Sequence, residues 1–172
     1  MRFPAANIRN LLLTTDFSDS SRHALPYARV MAERLGAVLY LLHVISNPLK
    51  PRYGPVAKDY TSIVNNARAK ARELMAAYEA DLGGVEHHAL IREGDVLSEI
   101  LAVTREKRID TIVIASHGEG RLRHLLLGST ARNVLLTANC PVYIIRRSEE
   151  HQALRAVPEG GHRRRGYKAG GV

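Results

Sequence analysis

The sequence predicts an α/β fold: a three-layer, Rossmann-like arrangement of four helices around an open, parallel, five-stranded sheet in the order 3-2-1-4-5. Short apolar runs rich in branched side chains alternate along the chain with longer segments of helical periodicity. This alternation is typical of parallel strands joined by right-handed crossover helices. The apolar runs are nearly uninterrupted, as expected of strands that are buried on both faces.

The first part of the chain supplies a strand, a helix and a second strand. Strands one and two are predicted over Ile8–Thr14 and Val38–Val44, which are two runs of mostly apolar side chains. Helix one is predicted over Ser20–Leu35, because Gly36 follows in the position expected after a helix C-cap. Pro26 lies inside that segment and removes one backbone hydrogen bond, so we expect either a kink or a late helix start.

The middle of the chain supplies a loop, a helix and a strand. Residues 46–58 contain three prolines and a glycine, which predicts a loop with little regular structure. Helix two is predicted over Tyr60–Asp81, where apolar residues recur at three- and four-residue steps, and Gly83 and Gly84 end it. Strand three is predicted over Val85–Arg92.

The last part supplies two helices and two strands. Helix three begins after Asp95, a residue type that caps helix N-termini. Strand four is predicted over Thr111–Ile114, helix four over Thr130–Leu136 and strand five over Val142–Ile145, with Tyr143 as a core residue. Because an apolar strand at a sheet edge is usually paired or covered, strand five predicts a homodimer interface.

The charge is distributed unevenly along the chain. Seven Arg or Lys and three Glu follow residue 145, so this end carries half of the net charge of +8. We therefore predict one domain over residues 1–147 and a flexible, basic tail over residues 148–172. The run Arg163-Arg164-Arg165 is compatible with a nucleic-acid contact, but the absence of an aromatic platform favours a solvated tail without nucleic acid.

The composition bounds the location and the chemistry. A single cysteine, Cys140, excludes an internal disulfide, and the first seven residues lack the apolar stretch of a signal peptide, so we expect a cytoplasmic protein. No apolar run reaches membrane length. The sequence lacks a Walker lysine loop, a zinc-ligand spacing and a Gly-x-Ser-x-Gly elbow, so none of these motifs indicates strong catalysis.

One pair of small-residue motifs predicts an anion site. Ala115–Gly118 follows strand four, and Gly128-Ser129 begins helix four after nine intervening residues. Glycines let a backbone approach a ligand closely, and the N–H groups at a helix start attract negative charge. Asp16 follows strand one, whose carboxyl end we expect at the same crevice, where it would accept from a ribose hydroxyl or a base amine.

Five short motifs, taken together, resemble the universal stress protein family over roughly residues 7–147. They are Thr15-Asp16-Phe17-Ser18, Leu42-His43-Val44, Ser116-His117-Gly118, Gly128-Ser129 and Asn139-Cys140-Pro141-Val142. The resemblance implies a cytoplasmic stress-response module that acts as a regulator or adaptor. It implies ATP or another adenine nucleotide as the ligand, with or without Mg²⁺ or Mn²⁺, and a homodimer formed through Val142–Ile145.

The resemblance also implies which residues surround the nucleotide. Asp16 and Val44 would lie near adenine and ribose. Four residues would lie near the phosphates: Gly118, Gly128, Ser129 and Thr130. The full set predicted to bind nucleotide lies at three strand ends, in the loop after strand four and at the start of helix four: Thr14, Thr15, Asp16, Val44, Ile114, Ala115, His117, Gly118, Arg121, Gly128, Ser129 and Thr130.

One position departs from the family pattern. Members that bind ATP carry Gly-x2-Gly-x9-Gly-Ser/Thr, and here Ala115 replaces the first glycine. A Cβ at this position would clash if the backbone needed a positive φ or touched the ribose. The alternative hypothesis is therefore a universal stress protein that does not bind nucleotide and acts through protein–protein contacts.

Several candidates also have a purely structural interpretation. Asp16 and Ser129 are residue types that cap helices, so each is either a cap or a ligand contact. His117 is either a general base or a loop residue that holds backbone groups, and the second is favoured. Arg121 either meets phosphate or belongs to an exposed basic loop. His43 is predicted to be packed and hydrogen-bonded within the sheet.

Overall fold

Five strands form one parallel sheet in the order β3-β2-β1-β4-β5, which confirms the predicted topology. The structure, a computed structural model, describes residues 7–46, 60–117 and 127–146. The elements in chain order are β1 (Asn10–Thr15), α1 (Asp19–Leu35), β2 (Val38–Ile45), α2 (Tyr60–Leu82), β3 (His87–Glu93), α3 (Val96–Glu106), β4 (Thr111–Ala115), α4 (Ser129–Thr137) and β5 (Val142–Ile145). Most of the predicted loop and the whole of the predicted tail, residues 148–172, lie outside these ranges.

The central strand β1 is buried on both faces. Leu11, Leu12 and Leu13 are each fully inaccessible to solvent. Successive side chains point to opposite faces of a strand, so Leu11 and Leu13 pack beneath α1 and α2, whereas Leu12 packs beneath α3 and α4. An uninterrupted apolar run is therefore what this position in the sheet requires.

Each face of the sheet is covered by two helices. The α1 and α2 side uses small residues on α1 and large ones on α2, and its core includes Ala24, Ala28, Ala32, Met75, Tyr78 and Leu82. The α3 and α4 side is built by Ile100, Val103, Ala131 and Val134 against strand residues such as Leu42, Ile112 and Ile114. The alanines allow α1 to lie close to the sheet, and the first turn of α1 lies at the edge where β1 ends because the helix follows that strand after three residues.

Capping residues account for both ends of α1 and for the start of α3, whereas Pro26 does not have its expected effect on where α1 begins. Ser18 caps α1, Asp95 caps α3 as predicted, and Gly36 ends α1 with a φ of 62°. The expectation of a late start for helix one is wrong, because α1 begins at Asp19 and continues through Pro26. The buried alanine face of α1 outweighs the one backbone hydrogen bond that Pro26 removes.

The two edge strands are less buried than the sequence suggests. In β3 only intermediate and exposed positions occur, and in β5 Tyr143 is 45% exposed, so the prediction that Tyr143 belongs to the core is wrong. Each of these strands has a single neighbouring strand, which leaves one edge without a partner in the described part of the chain. Within that same part, no helix is both long and apolar enough to cross a bilayer.

Truncation of the central strand should destabilise the protein far more than the same truncation at the surface. We expect Leu12→Ala to lower the free energy of unfolding by about 2–5 kcal/mol, because it leaves a cavity at a fully buried position. Leu136, which is 70% exposed, provides the matched control, and Leu136→Ala should change the free energy of unfolding by less than about 0.5 kcal/mol. Urea denaturation measures both, and equal losses would contradict this description of the core.

Candidate functional site

A cleft of about 670 Å³ opens at the carboxyl ends of β1, β2 and β4. The sheet order places β2 on one side of β1 and β4 on the other, so the crossovers diverge at this point. Such a reversal leaves a crevice outside the carboxyl edge of a parallel sheet. The volume lies within the range of small-molecule sites, which makes this cleft the candidate ligand site.

The cleft gathers ten of the twelve residues predicted to bind nucleotide. Its walls include Thr14, Thr15, Asp16, Val44, Ile114, Ala115, His117, Gly128, Ser129 and Thr130. Gly118 and Arg121 lie outside the described residues. The sequence interpretation did not single out the contribution of α3, whose residues Val96 and Ile100 also line the cleft. The chain order could have predicted this contribution, because α3 follows β3 and therefore begins at the carboxyl edge of the sheet, beside the crevice.

The start of α4 packs tightly against the loop that leaves β4. The N–H of Gly128 donates to the Ser116 carbonyl at 2.7 Å. A Cβ on Gly128 would lie 3.2 Å from that carbonyl oxygen and 3.5 Å from the His117 Cα. With a φ of −67°, Gly128 needs no left-handed conformation, so it is the close approach to Ser116 that favours glycine here.

The N-terminus of α4 differs from those of α1 and α3. Ser18 and Asp95 place side-chain oxygens on the first N–H groups of their helices, whereas α4 has Gly128 at its N-cap position and so has no capping side chain. The proposed capping role of Ser129 is wrong, because Ser129 is already the first residue of the helix. The first N–H groups of a helix have no acceptor within it, and its dipole makes that end positive.

Charge at these three N-termini follows the same division. The first turns of α1 and α3 contain Asp19 and Glu99, and the first turn of α4 contains no acidic residue. A carboxylate near a helix start already satisfies part of the positive end of the dipole. Of these three helix starts, that of α4 is therefore best suited to an external anion such as phosphate.

The turn between β1 and α1 presents Asp16 at the opposite wall. Asp16 is exposed, and its Oδ1 accepts from the Ser18 backbone N–H at 3.1 Å and from the Ser18 hydroxyl at 2.6 Å. Ser18 in turn accepts from the Ser21 N–H at 3.2 Å. The interpretation of Asp16 as the cap of α1 is therefore wrong, since Asp16 orients the residue that caps the helix.

His43 lies in the wall of the cleft and is packed, as predicted. Its Nδ1 donates to the Thr15 carbonyl at 2.9 Å, because a carbonyl oxygen can only accept. Its ring stacks on Phe17, with 4.2 Å between the ring centroids. Burial lowers the pKa of His43 below its ordinary 6.5, although the bond to Thr15 and the charge of Asp16 act in the opposite direction.

The departure at Ala115 creates no backbone strain. Among the described residues, Phe17 and Arg108 are the non-glycine residues with a positive φ, so Ala115 is not one of them. Its side chain packs into the core on the α1 and α2 side and is 6% exposed. The alanine therefore fits the end of β4, and the first of the two clashes considered for it does not arise.

The loop after β4 is anchored at both of its described ends. Ser116 donates its N–H to the Ile145 carbonyl at 2.8 Å and accepts from Gly128. The Ser116 hydroxyl and the His117 Nδ1 are 2.9 Å apart. This contact joins His117 to a neighbouring side chain, and it does not assign His117 a base role.

The remaining wall is apolar. Val44 and Ile114 belong to the core on the α3 and α4 side, together with Val96 and Ile100 from α3. An apolar wall of this kind suits a flat aromatic group, and the polar groups at Asp16 and at the start of α4 lie on the rest of the lining. In the described ranges no group of three or more His, Cys, Asp or Glu side chains is placed to hold a metal ion.

Known proteins are similar to this chain in sequence and in fold. The model of the universal stress protein family matches residues 7–146. Universal stress protein YxiE of Bacillus subtilis is 31% identical, over 79% of this chain and 97% of its own length. The solved structure of a universal stress protein from Methanocaldococcus jannaschii is 26% identical with a TM-score of 0.74, over 83% of this chain and 98% of its own.

A more distant structure shares the fold and was solved with a nucleotide. It is a universal stress protein family protein from Arabidopsis thaliana with AMP bound, 19% identical with a TM-score of 0.59, over 83% of this chain and 94% of its own. The family model covers most of the chain and includes every predicted site residue. The chain therefore belongs to the universal stress protein family.

Proposed function

We propose that this protein binds ATP or a related adenine nucleotide in the cleft and acts as a regulatory or adaptor module of the stress response. The observation that carries the proposal is the uncapped start of α4, which faces the cleft with Gly128 packed against the backbone of Ser116. This arrangement directs backbone N–H groups at an anion, and the first turn of α4 contains no acidic residue. Phosphate is the anion of a nucleotide.

The proposed orientation follows from the two ends of the cleft. Phosphates would lie at Gly128, Ser129 and Thr130, with N–H groups and hydroxyls as donors. The base and ribose would lie at Asp16 and Val44, where a carboxylate can accept from a hydroxyl or an amine and an apolar wall can pack against a ring. A cleft of about 670 Å³ is large enough for a ligand of this size.

The AMP-bound plant protein supports the choice of an adenine nucleotide, because the same fold accepts one there. An accompanying Mg²⁺ or Mn²⁺ would be held chiefly by phosphate oxygens, since the described residues supply no set of three protein ligands. Any hydrolysis would be slow, because the cleft offers groups for binding and orienting rather than an assigned base.

We also propose a homodimer formed through β5. Tyr143 exposes 45% of its surface on this edge strand, and the side chains of Val142, Ile144 and Ile145 are only partly buried. A second copy of β5 would cover this apolar edge by a two-fold contact. This assembly is independent of the nucleotide proposal, since it uses a different edge of the sheet.

Nucleotide binding should depend on the close packing of Gly128. The purified protein is first heat-denatured, and the supernatant is analysed for ATP, ADP or AMP by chromatography and mass spectrometry. Titration calorimetry with ATP and Mg²⁺ then compares the wild type with Gly128→Val, for which we expect at least a roughly tenfold weaker affinity. The valine side chain would collide with the Ser116 carbonyl and displace the start of α4.

Gly84 offers the matched control. A Cβ there meets nothing within 4 Å, so Gly84→Val should keep the wild-type affinity, and circular dichroism should show that both variants are folded. Unchanged binding by Gly128→Val would contradict the phosphate assignment. A wild type that releases no nucleotide and does not bind millimolar ATP would instead support the alternative, a member that acts through protein contacts.

A charge on β5 should prevent dimer formation. We expect the wild type to have the mass of a dimer by light scattering at micromolar concentration, and Tyr143→Lys to have that of a monomer, because the ammonium would be buried against the partner strand. Ile63 is 50% exposed on α2, which covers the opposite end of the sheet, so Ile63→Lys should stay dimeric. A monomeric wild type would rule out the dimer.

A further inference from the structure

Phe17 has a backbone conformation that its side chain disfavours. Its φ is 63°, in the left-handed region, which bulky residues rarely adopt. It directly follows Asp16 in the turn that leads into the cleft. Such a conformation costs free energy, so neighbouring contacts must hold it in place.

Aromatic contacts hold the Phe17 side chain from two directions. Its ring stacks on His43 with an interplanar angle of 31° and meets Tyr78 edge-on, with 5.5 Å between centroids and an angle of 77°. Offset and edge-to-face contacts of this kind are favourable for aromatic rings. His43 belongs to β2 and Tyr78 to α2, so two separate elements fix the ring.

Hydrogen bonds hold the backbone of the same turn. The Phe17 N–H donates to the Thr15 hydroxyl at 2.9 Å, and the Thr15 carbonyl accepts from His43. The Thr15 hydroxyl also lies 3.0 Å from that of Ser21, which lies 3.3 Å from the hydroxyl of Tyr78. Thr15, Ser21 and Tyr78 are each less than 10% exposed, so this network is buried.

Asp16 is the exposed residue between these two fixed neighbours. His43 reaches both, through its ring to Phe17 and through its Nδ1 to Thr15. We propose that His43 and Phe17 are positioning residues that hold the turn in its left-handed form and thereby present the Asp16 carboxylate to the ribose or base of the nucleotide. This inference rests on the proposed function for its ligand, while its structural part concerns the turn alone.

The first test needs no nucleotide. Amide hydrogen exchange by NMR reports on the Ser18 N–H, which donates to Asp16. Phe17→Ala removes the ring contacts, while alanine still disfavours a positive φ. The turn should therefore open more often, and exchange at Ser18 should become about tenfold faster. Phe17→Asn also removes the ring, but asparagine tolerates a positive φ, so exchange should stay closer to that of the wild type.

Two further variants separate this role from general packing. His43→Ala should accelerate exchange at Ser18 as Phe17→Ala does. His88→Ala removes a histidine that stacks on Tyr40 at 5.2 Å, away from the cleft, and should leave Ser18 unchanged. If Phe17→Ala and Phe17→Asn accelerate exchange equally, or if neither does, the positioning role is wrong. Should Phe17→Ala fail to fold, His43→Ala gives the same decision.

The second test uses ATP binding by calorimetry. Phe17→Ala should weaken affinity about tenfold in the wild-type background and have no further effect in an Asp16→Ala background, because the ring acts through Asp16. Additive losses would overturn the proposal. A wild type that does not bind ATP would refute the proposed function, and the exchange measurement would still decide whether His43 and Phe17 position Asp16.

Protonation of His43 should lower the stability of the folded protein at acid pH. Because burial lowers its pKa in the folded state, the unfolded chain takes up a proton first as the pH falls through about 6.5. The urea concentration at the unfolding midpoint of the wild type should therefore decrease as the pH is lowered from about 7.5 to about 5. His43→Phe keeps a ring but cannot titrate, so its midpoint should fall less, and an equal fall would exclude His43 as the cause.

Discussion

The burial of β1 on both faces is the constraint on which the rest of the structure depends. Three consecutive leucines that are inaccessible to solvent can be satisfied only by a strand with neighbours on both sides and helices above and below. A strand in that position must receive crossovers that diverge, with β2 on one side and β4 on the other. The cleft at the carboxyl edge is thus a geometric result of how the core is buried.

The same geometry brings helix N-termini of different character to one edge. At the starts of α1 and α3, the N-cap side chains accept hydrogen bonds from backbone N–H groups of the first turn. At the start of α4 the N-cap residue is a glycine that packs against Ser116. The polarity of the cleft is therefore divided, with donors at α4 and a carboxylate at the β1–α1 turn. Apolar residues of β2, β4 and α3 complete the lining between them.

Periodicity predicted the alternation of strands and helices, whereas the strand order and most of the cleft residues were predicted from motif spacing and from the resemblance to the universal stress protein family. Ala115 was identified as a departure, and the absence of a positive φ there follows only from the coordinates. The capping roles given to Asp16 and Ser129 were each wrong, because more than one residue near a helix start is of a type that can cap it, and only the backbone path decides between them. The left-handed Phe17 could not be predicted, since phenylalanine lacks the usual signature of that conformation and long-range contacts impose it. The burial of Tyr143 was overestimated because strand patterns do not reveal which edge a helix leaves uncovered.

The glycine at the N-cap position of α4 also has a consequence for the resistance of the protein to proteolysis. Glycine at the N-cap position contributes roughly a few tenths of a kcal/mol less than a capping side chain, and α4 has only nine residues over which to recover the difference. A ligand that supplies acceptors to this end would complete the folded state and shift the folding equilibrium by mass action. Resistance to proteases would then rise with the concentration of that ligand, and the abundance of the protein would rise with it.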